Sequence, residues 1–117
     1  MTEEITPIEG LPKITIQKKG SIKDPRDPSG KKRRQFEIVK TVVIPQTKLP
    51  KWCEGKVYVL QKLMLEDEGE YFRIGYYIMG FKGKAKGKWV WGRYTPMGPI
   101  EDLKILLERA KSEGLID

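Results

Sequence analysis

Lysines and indole rings crowd together in residues 80 to 93, GFKGKAKGKWVWGR. Lys82, Lys84, Lys86 and Lys88 fall at every second position with Gly or Ala between them, and Trp89 and Trp91 follow with one valine between. Ammonium groups on flexible stems neutralise a phosphate backbone, and indoles stack on bases that are free to leave a duplex, each stacked base contributing about 1–3 kcal/mol. The same residues also suit an ordinary solvated hairpin end, where lysine blocks edge-to-edge aggregation. A second basic group, Lys31, Lys32, Arg33 and Arg34, lies elsewhere in the chain.

Covalent chemistry has little to work with. Histidine is absent and Cys53 is the only cysteine, which removes the commonest general base, the commonest zinc ligand, the usual triads and any internal disulfide. Glu54-Gly55-Lys56 has the ExK form of metal-dependent nucleases, where a carboxylate holds magnesium and the lysine assists the attacking water. Such a site would need an upstream acid, Asp24 or Asp27, and three-residue patterns of this kind are common in charged sequences. Glu66, Asp67, Glu68 and Glu70 lack calcium-loop spacing, and an acidic hairpin turn explains them. No catalytic residue, metal, cofactor or small-molecule substrate is therefore expected.

The chain of 117 residues suits one domain. Twenty-three Lys and Arg against sixteen Asp and Glu give a formal charge of +7, and polyanions are the usual partners of such an excess. No apolar run approaches the ~20 residues that cross a bilayer. The opening MTEEITPIEG lacks the basic and apolar regions of a secretory leader, so a cytoplasmic protein with no membrane partner is expected. Asparagine is missing while Lys and Glu abound, a tendency of thermophile proteins.

Residues 1–34 read as a basic, Pro- and Gly-rich arm, loosely ordered or holding one short strand around Ile14 and Ile16; it is either a fifth strand or a tether. Residues 35–117 read as a ββββα domain. QFEIVKTVVIP puts Phe36, Ile38, Val42 and Ile44 on one side and Glu37 and Thr41 on the other. KVYVLQKLMLED, EYFRIGYYIMG and KWVWGRYT follow as strands, with the acidic turn making a hairpin of the first two. After Pro99, Ile100, Leu103, Leu107 and Ala110 mark an amphipathic helix with Leu106 beside them and Gly114 as its stop. The fold class is α+β: an antiparallel sheet of four strands, or five with the arm, carrying one C-terminal helix on one face. One helix covers one face, so the other is expected to meet solvent or ligand.

Period-2 spacing groups Tyr71, Arg73 and Tyr77 on one side of the third strand, and Trp89, Trp91 and Arg93 on one side of the fourth. It does not say which side the helix covers. With the helix opposite, these six residues make a stacking platform in which Gly75 lets a flat group approach. With the helix above them, the tryptophans are core. Groove reading of duplex usually employs a basic helix, and the only helix here begins with acids, so single strands are preferred.

The layout of residues 35–114, and above all Tyr71 through Ala110 with its Lys- and Gly-rich loop, tryptophan strand and helix near Pro99, resembles the ββββα unit of the single-stranded-DNA-binding superfamily. That superfamily includes positive cofactor four, the Whirly proteins and the purine-rich-element-binding proteins. The resemblance implies a curved sheet that holds single strands, and a homodimer often paired through the helix. The chain departs from it in its long basic arm, the Pro96–Pro99 corner and the tryptophans. The expected function is binding of single-stranded DNA or RNA with little sequence preference, through Lys31, Lys32, Arg33, Arg34, Tyr71, Arg73, Tyr77, Lys82, Lys84, Lys86, Lys88, Trp89, Trp91 and Arg93. The alternatives are a protein-interaction or homodimerising domain and, third, the Glu54/Lys56 nuclease.

Overall fold

The computed structural model describes residues 2–117. Seven strands and one helix follow in the order β1 (Thr2–Ile5), β2 (Ile14–Gln17), β3 (Lys19–Lys23), β4 (Arg33–Pro45), β5 (Lys56–Leu65), β6 (Gly69–Met79), β7 (Trp89–Trp91) and α1 (Ile100–Ser112). An antiparallel five-stranded sheet runs β3-β4-β5-β6-β7, and β1 and β2 pair as a separate hairpin. The expected α+β class with one C-terminal helix is what the chain forms. The fifth strand is β3, from within the first 34 residues. No described helix is long and apolar enough to cross a membrane.

The alternation expected for β4 breaks at Val39. A bulge between Ile38 and Lys40 adds one unpaired residue, and Val39 turns outward. An extra residue reverses the facing of everything beyond it. Phe36 and Ile38 therefore lie opposite Leu65 and Leu63 on one face, while Val42 and Ile44 lie opposite Leu60 and Tyr58 on the other. One strand thus serves two cores on opposite sides of the sheet.

The first core forms where Ile14 and Ile16 of the hairpin press on Phe36, Ile38, Val57, Leu63 and Leu65, with Ile5, Ile8, Tyr77 and Trp89 against its margin. Each fully buried isoleucine contributes about 1.5–3 kcal/mol relative to an exposed one. Two residues of β2 thus hold the hairpin down. The expectation that nothing but the helix could cover the sheet is overturned here, because the N-terminal hairpin covers much of the second face.

The second core joins Val42, Ile44, Tyr58 and Leu60 to Leu106, Ala110 and Leu115. The helix buries Asp102, Leu106 and Ala110, spaced i, i+4, i+8, and leaves Ile100, Leu103 and Leu107 exposed. It is rotated by roughly a quarter-turn from the orientation its apolar stripe predicts. The cause is position: α1 lies over β4 and β5 and leaves the adjoining side of β6 bare, so Phe72 is 73% exposed.

Candidate nucleic-acid interface

The β6–β7 connection is compact. Gly83–Ala85 form a single 3₁₀ turn, and the chain closes on Gly80: its N–H donates to Lys88 O at 2.9 Å and its carbonyl accepts from Gly87 N–H at 3.1 Å. A Cβ at Gly80 would lie 2.1 Å from Ala85 O, so only glycine permits this closure. Lys82, Lys84, Lys86 and Lys88 all stand exposed around the turn. None of the four forms an ion pair among the described residues. Holding the backbone fixed spares a ligand part of the cost of ordering it.

An aromatic pair that sequence reasoning missed lies beside these lysines. Trp52, in the β4–β5 connection, and Phe81 place their ring centroids 5.1 Å apart at 58°, and both are more than half exposed. Lys82 Nζ stands 5.7 Å from the Phe81 ring centre. The signal available was that each ring adjoins a lysine, Lys51–Trp52 and Phe81–Lys82. Only the pairing of β5 with β6 brings the two connections together.

Tyr71, Arg73, Tyr77, Trp89 and Trp91 share the face opposite the helix, beneath and beside the hairpin. Trp89 is half-buried against it and donates its indole N–H to Pro12 O at 2.7 Å. Trp91 is 37% exposed and meets Tyr77 edge-on at 5.0 Å. The flat group that Gly75 admits is Trp91 itself, since a Cβ there would lie 2.4 Å from its Cζ2. Gly75→Ala is expected to lift the indole and lower stability by about 1–3 kcal/mol, read as a lower melting temperature with red-shifted tryptophan emission. An unchanged melt and spectrum would show that the ring has room to move.

Arg73 is half-buried between two rings, 5.1 Å from the Phe36 centre and 5.2 Å from that of Trp91, and its Nε–H donates to Gln61 Oε1 at 2.9 Å. Burial pulls its pKa below the ordinary arginine value. Tyr71, at the far end of β6, donates its hydroxyl to Glu68 at 2.9 Å, and Arg93 is exposed in the bend after β7.

The basic quartet is not brought to the lysine loop. It sits where β4 begins, beside the β5–β6 turn, whereas the loop follows the opposite end of β6 and adjoins the other sheet edge. Arg34 is buried, with Nη1 2.7 Å from Glu68 Oε1 and Nη2 donating to Glu66 O at 2.6 Å. The Arg34 contact, then the Tyr71 hydroxyl, hold the Glu68 carboxyl below the usual range. Arg33 bonds Ser21, and only Lys31 and Lys32 extend exposed side chains without such partners. The acidic turn thus has a structural partner.

Glu54 and Lys56 are likewise separated from Asp24 and Asp27. The two acids lie before β4, and the ExK segment precedes and opens β5 at the other end of the β4–β5 pairing. Lys56 Nζ donates to Met97 O at 3.0 Å, and Asp27 accepts from Ser29 and Lys32. No group of three or more carboxylate or thiol side chains suited to a metal occurs among the described residues. Comparison of the chain with protein-family models, curated proteins and solved structures finds no match.

Proposed function

We propose that the protein binds single-stranded nucleic acid, with little sequence preference, at the end of the sheet formed by the β4–β5 and β6–β7 connections. The observation that carries this reading is the exposed Trp52–Phe81 ring pair beside four lysines without ion pairs. Two tilted rings offer surface to unpaired bases, while the lysines neutralise the phosphates that accompany them. Duplex stacks its bases on one another and leaves such rings without a partner. The +7 charge favours encounter with any polyanion, and the rings supply the preference for single strands.

Tryptophan fluorescence titrated with a short oligothymidylate, and with a duplex of equal length, at two salt concentrations tests the reading. Quenching by the single strand, weaker at high salt and largely lost in Trp52→Phe, is expected. Equal quenching by both nucleic acids, or none by either, would sink it.

A homodimer through α1 is the second reading, favoured by the exposure of Ile100, Leu103 and Leu107 beside Phe72 and Ile74. The first reading uses the β4–β5 and β6–β7 connections and the second the exposed side of α1 with the bare side of β6. Sedimentation at several concentrations measures the second without reference to nucleic acid.

A further inference from the structure

A cavity of about 310 Å³ lies between the hairpin, β3 and the face of the sheet that carries Trp91. Its walls include Arg73, Gln61, Phe36 and Trp91, and Lys19 and Ser21 stand at its β3 side. Arg73 is the one cation whose charge serves it, because Lys19 stands opposite Glu37 in the β3–β4 register and its ammonium lies 4.0 Å from that carboxylate, on the side of the sheet away from Phe36. No carboxylate lines the cavity.

Arg73 is the unusual member. Only its Nε has a protein acceptor, Gln61, which is itself 1% exposed and donates to Thr41 Oγ1 at 3.3 Å. No buried side-chain nitrogen lacks a partner among the described residues, so the two terminal nitrogens of Arg73 open onto solvent. A guanidinium half-buried without a counter-ion is costly, and its lowered pKa reflects that burial. The rings of Phe36 and Trp91 offset part of the cost and fix the plane of the fork. A fork held in place with its outer N–H groups free matches two oxygens of one phosphate.

Volume and charge narrow the ligand. Pockets for small ligands begin near 300 Å³, so this one takes a single nucleotide-sized unit and not a run of stacked bases. A guanidinium fork with no carboxylate in the lining suits the phosphate of that unit, and a phosphomonoester, at about −1.5 to −2 at neutral pH, is drawn to it more strongly than the single charge of an internal phosphodiester or a carboxylate.

We propose that the Arg73 cavity binds the phosphomonoester of a nucleotide, as the phosphorylated end of a strand or as a free mononucleotide. Arg73 holds two phosphate oxygens, and the half-exposed Trp91 ring meets the adjoining sugar or base. The strand-end form rests on the single-strand reading given above; the mononucleotide form does not.

Calorimetric titrations compare three probes: an oligothymidylate phosphorylated at one end, the same strand with hydroxyls at both ends, and thymidine monophosphate. Each is measured on the wild type, Arg73→Gln and Arg73→Lys. The expected result is at least a tenfold advantage for the phosphorylated strand in the wild type, reduced to near unity in Arg73→Gln and partly in Arg73→Lys, which keeps the charge and loses the fork. Displacement of the phosphorylated strand's advantage by thymidine monophosphate identifies the free nucleotide as a sufficient ligand, and its failure to displace identifies the strand end. Equal affinity for the two strands, with no Arg73-dependent binding of the monophosphate, overturns the proposal while leaving the single-strand reading intact. Arg73-dependent binding of the monophosphate with no binding of the hydroxyl-ended strand does the reverse. Circular dichroism checks each variant for folding, and Arg73→Lys, which keeps the charge against the two rings, decides the matter if Arg73→Gln does not fold.

Discussion

Replacing Lys82, Lys84, Lys86 and Lys88 together with alanine is expected to weaken binding of a single strand by roughly two orders of magnitude at moderate salt. Each phosphate contact releases about 0.7 of a counterion from a single strand, so the slope of log affinity against log salt should fall by about three when four contacts are removed. The slope separates charge from stacking. Trp52→Phe should weaken binding with the salt slope unchanged, because a ring neutralises no phosphate. The folded state should tolerate the quadruple change, since all four side chains are exposed and the turn is closed by backbone hydrogen bonds. A variant that keeps both its affinity and its slope would place the strand elsewhere on the molecule.

The largest expected loss of stability comes from Asp102→Ala. This carboxylate, in the first turn of α1, is 2% exposed and joins the helix to two other elements. Thr47 donates its hydroxyl to Oδ1 at 2.6 Å and its N–H to Oδ2 at 3.2 Å, and the Tyr58 hydroxyl of β5 donates to Oδ2 at 2.8 Å. Truncation leaves both Thr47 donors without their acceptor and turns the Tyr58 hydroxyl to the weaker contact with Gln46 Oε1 at 3.2 Å. The expected cost is about 3 kcal/mol, or roughly 15 °C in melting temperature for a domain of this size. Tyr58→Phe removes one donor and keeps the acceptor satisfied by Thr47, so it should cost about 1 kcal/mol. A loss below that level in Asp102→Ala would mean that water replaces the carboxylate.

The same site gives an acid dependence. Burial pushes the Asp102 carboxyl up, but the bonds from Thr47 and Tyr58 outweigh it and hold the folded pKa below the ordinary value. The stabilisation is therefore complete above the unfolded carboxyl value of about 3.9 and is lost as pH falls through the lower folded one. Thermal melts of the wild type and Asp102→Asn should lie far apart at neutral pH and converge only as the pH falls below the ordinary carboxyl value of about 3.9. Tyr58 is pushed the other way, first by its burial and then by the Asp102 contact, so its hydroxyl stays a donor throughout.

Residue order alone carried the local features. Alternating β-branched and aromatic runs gave β4, β5, β6 and β7, the Glu66–Gly69 turn gave a hairpin, and Pro99 with Gly114 bracketed the helix, because strand period and turn chemistry act between neighbours. The grouping of Tyr71, Arg73 and Tyr77 with one another, and of Trp89 with Trp91, followed from the pleat. Their shared face, away from the helix, was one of two possibilities that period alone left equal.

Three features needed the folded chain. The bulge at Val39 moves Phe36 and Ile38 to the face opposite Val42 and Ile44, and no residue type announces it. The hairpin buries Ile14 and Ile16 on a sheet far along the sequence, so what read as a loose basic stretch roofs the Arg73 cavity. The helix seats Leu106 and Ala110 over β4 and β5, which turns its strongest apolar stripe toward solvent. Each is a contact between distant segments, where packing area and sheet register decide among arrangements that local periodicity leaves equivalent. Trp52 and Phe81 meet for the same reason: register across β5 and β6, not spacing in the chain, sets two lysine-flanked rings side by side.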